Sequence, residues 1–424
     1  MSGVRLACFL AGSFGVGVFV AFNNYTLPLW LAGFTSSYVL ISLLGNSKSL
    51  EGAVVAPLVG AWSDRTWLGW LGRRRPFIVV GGTTAGLVMA ATPWVSRLDV
   101  GGIGLPAAIA RLAPLVVAVF LFTLAFGCVD DLQKALIGDT AEGAARNRLA
   151  ALYVVAAIGG QAAVLTFGFV VWSSGIPDWA FVAVGAAIAA CVAVVALGVR
   201  EPTPAEVAAQ RVASDEEAVG VGAFLRQYRP AVFLYLAVFA YWAGVDAVMP
   251  LVSTYVRDVL GGTVGEAQLL PGMLLLSTPA AAVPMGRLGT RLGKKRVIAA
   301  GYLGMGLAAL AGLVVTTKGQ GAGLFLAAGL ANAAPVVLTV PLLADLVPRK
   351  HLGKATGLLS ASGSVAAPLS SMVGGYLSDI YGPRAIFAVM AVMVCVAVGF
   401  LVNVRAPVEG EEHVGGVVGE LAAL

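Results

Sequence analysis

The sequence predicts an all-α membrane protein, with twelve transmembrane helices arranged as two pseudo-symmetric six-helix bundles. Composition is the first observation: 59% of the 424 residues are hydrophobic, only 12% are charged, and the mean hydropathy is +0.90. A soluble protein this apolar would expose patches that aggregate. The other two observations are the number of long apolar runs and the placement of the basic residues between them.

Twelve runs are long enough to cross a bilayer, which takes about 20 apolar residues in a helix. They cover residues 6–31, 37–61, 77–95, 114–138, 149–173, 179–199, 230–256, 267–286, 297–315, 321–344, 355–377 and 384–404. The proline-containing, acidic stretch 201–229 follows the sixth run and is predicted to be a cytoplasmic linker. The N-terminal bundle is therefore assigned to residues 1–200 and the C-terminal bundle to 230–405. The glycine- and glutamate-rich residues 406–424 are predicted to form a disordered cytoplasmic tail.

The basic residues predict the orientation of the chain. If both termini are cytoplasmic, 20 of the 27 Lys and Arg residues fall on the cytoplasmic side and five on the other side. Because cytoplasmic loops carry an excess of Lys and Arg, this bias predicts a multi-pass protein of the cell membrane with cytoplasmic termini. The formal charge of +5 then reflects topology, and no nucleic acid partner is expected.

The sequence lacks the residues and motifs that several classes of protein need for their function. The four cysteines lie singly within apolar runs, and the two histidines, His351 and His413, lie in a loop and in the tail. There is no Cys-x-x-Cys spacing and no phosphate-binding loop of the type Gly-x-x-x-x-Gly-Lys-Ser/Thr. We therefore expect no metal site and no cofactor, and we do not expect an enzyme.

One loop carries five charged residues between two apolar runs. It reads Gly-Ala-Trp-Ser-Asp-Arg from Gly60 to Arg65 and Gly-Arg-Arg-Arg-Pro from Gly72 to Pro76. An arginine costs about 2.5 to 3.5 kcal/mol at the centre of a bilayer, so the loop is predicted to lie in water on the cytoplasmic side.

Parts of this pattern recur along the chain, as in transporters built from internal repeats. Gly286–Arg296 follows the eighth run as the charged loop follows the second. Ala135–Asp139 is matched by Pro341–Asp345 in the second half. A third related stretch, Gly375–Arg384, falls in a predicted outer loop.

With these residues the loop resembles the cytoplasmic loop between the second and third helices of major facilitator superfamily transporters. Ser63–Arg65 and Gly72–Ile78 are most similar to the sucrose-transporter-like branch of the glycoside-pentoside-hexuronide:cation symporters. Trp67–Leu71 departs from that branch, which has a polar run at this place. The resemblance implies the major facilitator fold.

The resemblance also implies a cytoplasmic gate, because in the family the loop aspartate caps a helix of the other half and pairs with arginine. A carboxylate at the C-terminal end of its own helix is locally unfavourable, so this aspartate is expected to have a partner elsewhere. The alternative is that the arginines only set topology. By resemblance the gate is assigned to Asp64, Arg65, Arg73, Arg74 and Arg75, with Asp139 and Arg148 as a neighbouring network.

Ionisable residues inside the apolar runs are candidates for function, because their burial is costly. Lys48 and Glu51 are spaced i,i+3, and Asp130 and Lys134 are spaced i,i+4, so both sets are predicted to be paired charges. With Asp131 and Asp246 there are four acids for two lysines, so two carboxylates must be protonated, find another donor or bind a cation. Asp246, Asp131 and Glu51 are therefore the candidates for binding a coupling ion, H⁺ or alternatively Na⁺. A static salt-bridge network is the competing interpretation.

Aromatic and amide side chains near these acids are candidates for binding a substrate. Trp242 and Phe239 lie close to Asp246 along one helix, and an aromatic face suits the C–H face of a sugar ring. Packing or lipid contact is the alternative role. Lys134 stands where the resembled branch usually has an arginine. A lysine cannot make the bidentate contact of an arginine. Side chains able to bind sugar hydroxyls are those of Asn23, Asn24, Gln161 and Asn332.

Together, the resemblance and the buried charges imply a monomeric secondary transporter that carries a sugar or glycoside with a proton by alternating access. One alternative is a proton-coupled antiporter that exports drugs or metabolites. A non-transporting scaffold or sensor with the same fold is an alternative of another class.

Overall fold

The computed structural model describes residues 3–47, 59, 62–63, 65–98, 107–141, 143–172, 174–201, 220–348 and 351–404. These residues form an all-helical protein, which confirms the predicted fold class. The helices are α1 Gly3–Leu31, α2 Tyr38–Gly45, α3 Arg75–Val95, α4 Ala107–Thr140, α5 Gly143–Val171, α6 Asp178–Gly198, α7 Val221–Gln227, α8 Arg229–Asp258, α9 Val264–Leu292, α10 Lys294–Val314, α11 Lys318–Leu346, α12 Leu352–Tyr381 and α13 Ala385–Val402.

Ten of the described helices are long and apolar enough to cross a membrane, and each coincides with one of the predicted runs. The other two runs correspond to α2 and α12. Of the run at 37–61, the structure describes α2 and a few residues beyond it. Helix α12 has 30 residues, but its many serines and glycines lower its apolarity below that of the ten. Residues 406–424 and most of the linker lie outside the described residues, so the domain boundaries stay predictions.

The two sets of helices pack in the same way. In the N-terminal set, α1 packs on α5 and α6, and α3 packs on α4 and α6. In the C-terminal set, α8 packs on α12 and α13, and α10 packs on α11 and α13. In the repeat, α8 corresponds to α1 and α10 corresponds to α3. Equivalent helices therefore make equivalent contacts. The structure therefore has the pseudo-symmetry that the repeated motifs predict.

Among the described residues, the most extensive packing between the halves is that of α2 on α12 and of α5 on α9. We call the end at which α1 ends and α2 begins the far end, and the end that carries Arg73, Arg74 and Arg75 the arginine end. Helix α1 contains one π-helical turn near the far end, Phe22–Thr26, a feature that is frequent at functional sites.

Helices α1 and α5 approach so closely that only glycine fits at their crossing. A Cβ atom on Gly160 would overlap the carbonyl oxygen of Phe14, whereas a Cβ atom on Gly159 would have its nearest neighbour, an edge atom of Phe14, at 3.9 Å. Close backbone contact between helices through small residues is typical of membrane proteins. This crossing fixes how the first helix sits in its bundle.

We predict that Gly160→Ala destabilises the protein by about 1 to 3 kcal/mol, because the added methyl group forces the two backbones apart. Thermal unfolding of the purified protein in detergent measures the effect. Gly159→Ala is the matched control, since the same methyl group enters ordinary contact, and its melting temperature should equal that of the wild type. Equal melting temperatures for the two variants would contradict this packing.

Candidate functional site

A cavity of about 500 Å³ lies between the N-terminal and C-terminal helices. Helix α4 supplies one wall with Asp130, Asp131 and Lys134. Helices α8, α10, α11 and α12 supply the facing wall, which includes Trp242 and Asp246. Asp130, Asp131 and Lys134 lie between the middle of α4 and the arginine end, whereas Trp242 and Asp246 lie near the middle of α8. The volume is in the range of pockets that bind small molecules.

On the α4 wall, Asp130 is held by two donors. Lys134 Nζ lies 3.0 Å from one carboxylate oxygen, and the hydroxyl of Tyr153 donates to the other at 2.6 Å. Asp130 is buried, whereas about half of the Lys134 side chain is exposed, 52%. The i,i+4 spacing therefore produces a salt bridge in which the acid is shielded and the amine reaches the cavity. Asp131 follows directly and also lines the cavity.

The facing wall carries an acid beside aromatic rings. Trp242 and Asp246 lie one helical turn apart on α8, and both line the cavity. Within the described residues Asp246 makes no hydrogen bond or ion pair. Tyr241 stacks on Tyr302 of α10, with ring centroids 4.5 Å apart and an interplanar angle of 20°. This wall thus combines a carboxylate with broad apolar faces.

Other candidate residues lie away from this cavity. Asn332 accepts a hydrogen bond from Tyr241 and donates a long one, 3.5 Å, to Thr278. The Asn23 amide donates to the carbonyl oxygen of Gly45 on α2, at 3.1 Å. Asn24, Gln161 and Phe239 are partly buried and are not among the described cavity residues. Lys48 and Glu51 lie outside the described residues, as does Asp64.

At the arginine end, the arginine cluster contacts other N-terminal helices. Asp139 of α4 binds Arg73, at 2.8 Å, and also Arg74. Arg75 donates to the carbonyl oxygen of Ala196 at 2.9 Å. Arg65 and Arg148 are exposed, and Arg148 does not contact Asp139 among the described hydrogen bonds. In this conformation the cluster ties α3 to α4 and α6.

A buried glutamate after α6 caps the start of α3. Glu201 accepts hydrogen bonds from the backbone N–H groups of Arg73 at 2.8 Å, Arg74 at 3.0 Å and Arg75 at 2.7 Å. Its side chain is 1% exposed. A carboxylate suits this position, because the first N–H groups of a helix have no intrahelical acceptor and the helix dipole is positive there.

The C-terminal half has an equivalent junction, in which one of the two contacts is reversed in charge. Lys294, at the start of α10, binds Asp345 of α11 at 2.6 Å, as Arg73 binds Asp139. Lys295 donates to the carbonyl oxygens of Val402 and Val404 at the end of α13, at 2.8 and 2.6 Å. In the C-terminal half a lysine binds the carbonyl groups at the end of a helix. In the N-terminal half a glutamate binds the N–H groups at the start of a helix.

The hydrogen bonds between the two halves that the described residues make lie at the far end or near the middle of the helices. Gln268 of α9 accepts from Thr26 at 3.1 Å and from the indole of Trp172 at 3.2 Å. Asp379 of α12 accepts from the start of α2, and Asn46 donates to the carbonyl oxygen of Ala367. The halves are thus joined at the far end. The cavity lies between these contacts and the arginine end.

Sequence reasoning missed several of these residues. Glu201 was predicted only as part of the linker, although an acid between the last residue of α6 and Pro202 is a signal that could have marked a cap. Tyr153 and Tyr302 lie in apolar runs without any pattern that sets them apart. Their roles depend on which helices become neighbours.

Comparison with known proteins gives a match to a family over part of the chain. Residues 234–419 match the family model described as Major Facilitator Superfamily. The multidrug resistance protein MdtG of Dickeya zeae (strain Ech586) is 38% identical over 180 residues, 39% of this chain and 42% of the relative. An uncharacterized MFS-type transporter of Methanocaldococcus jannaschii is 25% identical over 154 residues, 36% of this chain and 40% of the relative. The chain thus matches less than half the length of these curated relatives.

Solved structures match over nearly the whole chain. The nucleoside transporter NupG has a TM-score of 0.70 at 11% identity, with 95% of this chain and 98% of that chain covered. A D-xylose–proton symporter has a TM-score of 0.68 at 17% identity, with 95% and 97% covered. At this level of identity the similarity concerns the fold.

We predict that Glu201→Ala destabilises the protein by about 3 kcal/mol, because three backbone N–H groups lose a buried acceptor. Chemical or thermal unfolding in detergent measures the loss. Glu266→Ala is the control: Glu266 also binds a backbone N–H, that of Thr263, but its side chain is 28% exposed. That variant should lose only about 1 kcal/mol. An equal loss in both variants would contradict a special role for the buried cap.

Proposed function

We propose that this chain, which has the major facilitator fold, is a secondary transporter that carries a sugar or glycoside together with a proton. The observation that carries the proposal is the position of two acids, Asp131 and Asp246, on facing walls of one cavity between the halves. An ionisable residue at membrane depth is costly and is expected to serve a transport pathway.

Alternating access gives these acids their role. In secondary transporters the site lies near mid-depth at the interface of the repeats, and the two halves rock around it. An acid in such a site faces water on one side of the membrane and then on the other. A carboxylate that binds a proton in one state and releases it in the other couples the movement of protons to that of the substrate.

The facing walls suit a hydroxylated substrate. Trp242 offers an aromatic face beside Asp246, and Ser360, Ser364 and Thr339 add hydroxyl groups. On the opposite wall, the Lys134 ammonium has three donors, of which one already binds Asp130. A sugar ring presents a C–H face for stacking and hydroxyls for such groups. We propose a proton as the coupling ion, with Na⁺ as the alternative, because a single carboxylate can bind and release a proton without further ligands.

We place the protein in the cell membrane. The orientation proposed from the basic residues puts the arginine end on the cytoplasmic side. The far end, where the halves are joined, is then extracellular, and the conformation described here is inward-facing. The gate assigned to Asp64 and the arginine cluster remains a proposal.

Export of drugs in exchange for protons is the second candidate. The similarity to a multidrug resistance protein, over 39% of this chain, favours it. The aromatic and apolar residues of the cavity, such as Tyr241 and Val238, suit such compounds also.

Reconstitution into proteoliposomes distinguishes these functions. A panel of labelled sugars and a panel of lipophilic drugs are offered with an imposed pH gradient, with a Na⁺ gradient and with none. Accumulation of a sugar, driven by protons that move down their gradient, supports the proposal. Drug movement against the proton flow, without sugar uptake, would replace it with export.

We predict that Asp246→Asn abolishes accumulation driven by the pH gradient, since an amide cannot carry the proton, while exchange of substrate across the membrane continues. Uptake with and without the gradient measures both activities. Asp178→Asn is the control, because Asp178 pairs with Arg97 at the far end, away from the cavity. Normal accumulation by Asp246→Asn would remove this residue as the proton carrier.

We predict that Trp242→Ala raises the KM for the sugar about fivefold, the effect expected from loss of an aromatic stacking contact of about 1 kcal/mol. Initial rates of uptake across a range of sugar concentrations measure it. Phe239→Ala, on the same helix but not among the described cavity residues, should leave the KM unchanged. An unaltered KM in Trp242→Ala would show that the ring only packs.

A further inference from the structure

The start of α2 is capped by two side chains, one from each half of the protein. Ser37, the preceding residue, accepts a hydrogen bond from the backbone N–H of Leu40. Asp379, at the end of α12 in the other half, accepts from the N–H groups of Tyr38 at 2.6 Å and Val39 at 3.3 Å. It also accepts from the hydroxyl of Ser37 at 3.1 Å. The first turn of α2 therefore has both of its side-chain caps only while the halves meet at the far end.

The backbones of α2 and α12 are in close contact beside this cap. A Cβ atom on Gly375, one turn before Asp379, would lie 2.7 Å from the carbonyl oxygen of Tyr38 and 2.7 Å from the Cα of Val39. The lack of a side chain at Gly375 brings the end of α12 within hydrogen-bonding distance of the start of α2. A second contact across the same end joins the hydroxyl of Tyr38 to Asp258, at 3.2 Å.

The residues around Asp379 repeat part of the sequence of the charged loop. The loop reads Gly-x-x-Ser-Asp at Gly60–Asp64, and α12 ends with Gly-x-x-Ser-Asp at Gly375–Asp379. The first copy ends the apolar run that begins with α2, and the second ends α12, which packs on α2. The same short pattern thus occurs in the sequence after α2 and at the end of α12.

We propose that Asp379 is a positioning residue that holds the far end of the protein closed. It does so by completing the N-terminal cap of α2 from the other half, with the negative carboxylate at the positive end of the helix dipole. When the halves separate at the far end, α2 keeps Ser37 but loses Asp379. The cap therefore favours the conformation described here over one that is open at the far end, whatever solute the protein carries.

The reaction rate of a buried thiol at the far end measures how often that end opens. Ser253 on α8 suits this purpose, because it is fully buried and its hydroxyl has no partner among the described residues. The four native cysteines are replaced by alanine, Ser253→Cys is introduced, and the protein is reconstituted in nanodiscs. The probe is a small anionic methanethiosulfonate, added without any substrate. The rate is proportional to the open fraction even when that fraction is small.

We expect Asp379→Ala to raise this rate about fivefold, the effect of losing one helix cap. Asp379→Asn keeps one acceptor oxygen and should give a smaller increase. Asp178→Ala is the matched control, since Asp178 is an acid at the same end whose partner, Arg97, belongs to its own half. Its rate should equal that of the parent protein.

An unchanged labelling rate in both Asp379 variants would overturn the proposal. A lower melting temperature with an unchanged rate would also overturn it, because Asp379 would then act only on folding. The experiment involves no transport and no proton gradient, so its result is independent of whether the proposed sugar symport is correct.

Discussion

The cost of placing a carboxylate at membrane depth is the constraint on which the rest of this structure depends. Asp130 meets that cost with a salt bridge to Lys134 and a hydrogen bond from Tyr153. Asp246 has no such partners among the described residues, and its side chain faces a cavity instead. A cavity between the halves is thus what makes an acid tolerable at this depth. The same cavity gives that acid access to water and to a solute.

Contacts at the helix ends hold each half together and join the two halves. Within each half, charged residues lock the helix ends together at the arginine end: Glu201 caps α3, and Lys295 binds the carbonyls that end α13. Between the halves, polar contacts such as those of Gln268 and Asp379 accompany the packing of α2 on α12 and of α5 on α9. The charged contacts thus hold the helices of each half together, and the contacts at the far end hold the two halves together.

Much of the fold could be predicted from the sequence, because a membrane helix needs a long apolar run and each run is visible on its own. The pair of Asp130 and Lys134 was equally accessible, since spacing along one helix decides it. Tyr153 and Asp379 were not, because their partners lie on other helices. Asn332 was selected by residue type alone, and its side chain bonds Tyr241 and Thr278 away from the cavity. Contacts across helices depend on packing that residue spacing does not express.

The central claim is that the acids of the cavity bind and release protons as the solute moves. It is tested most directly by recording the pH of a lightly buffered suspension of proteoliposomes, without an imposed gradient, when a transported sugar is added outside. Co-transport predicts that the external medium becomes more alkaline as protons enter with the sugar. Sugar entry at constant external pH would contradict the claim.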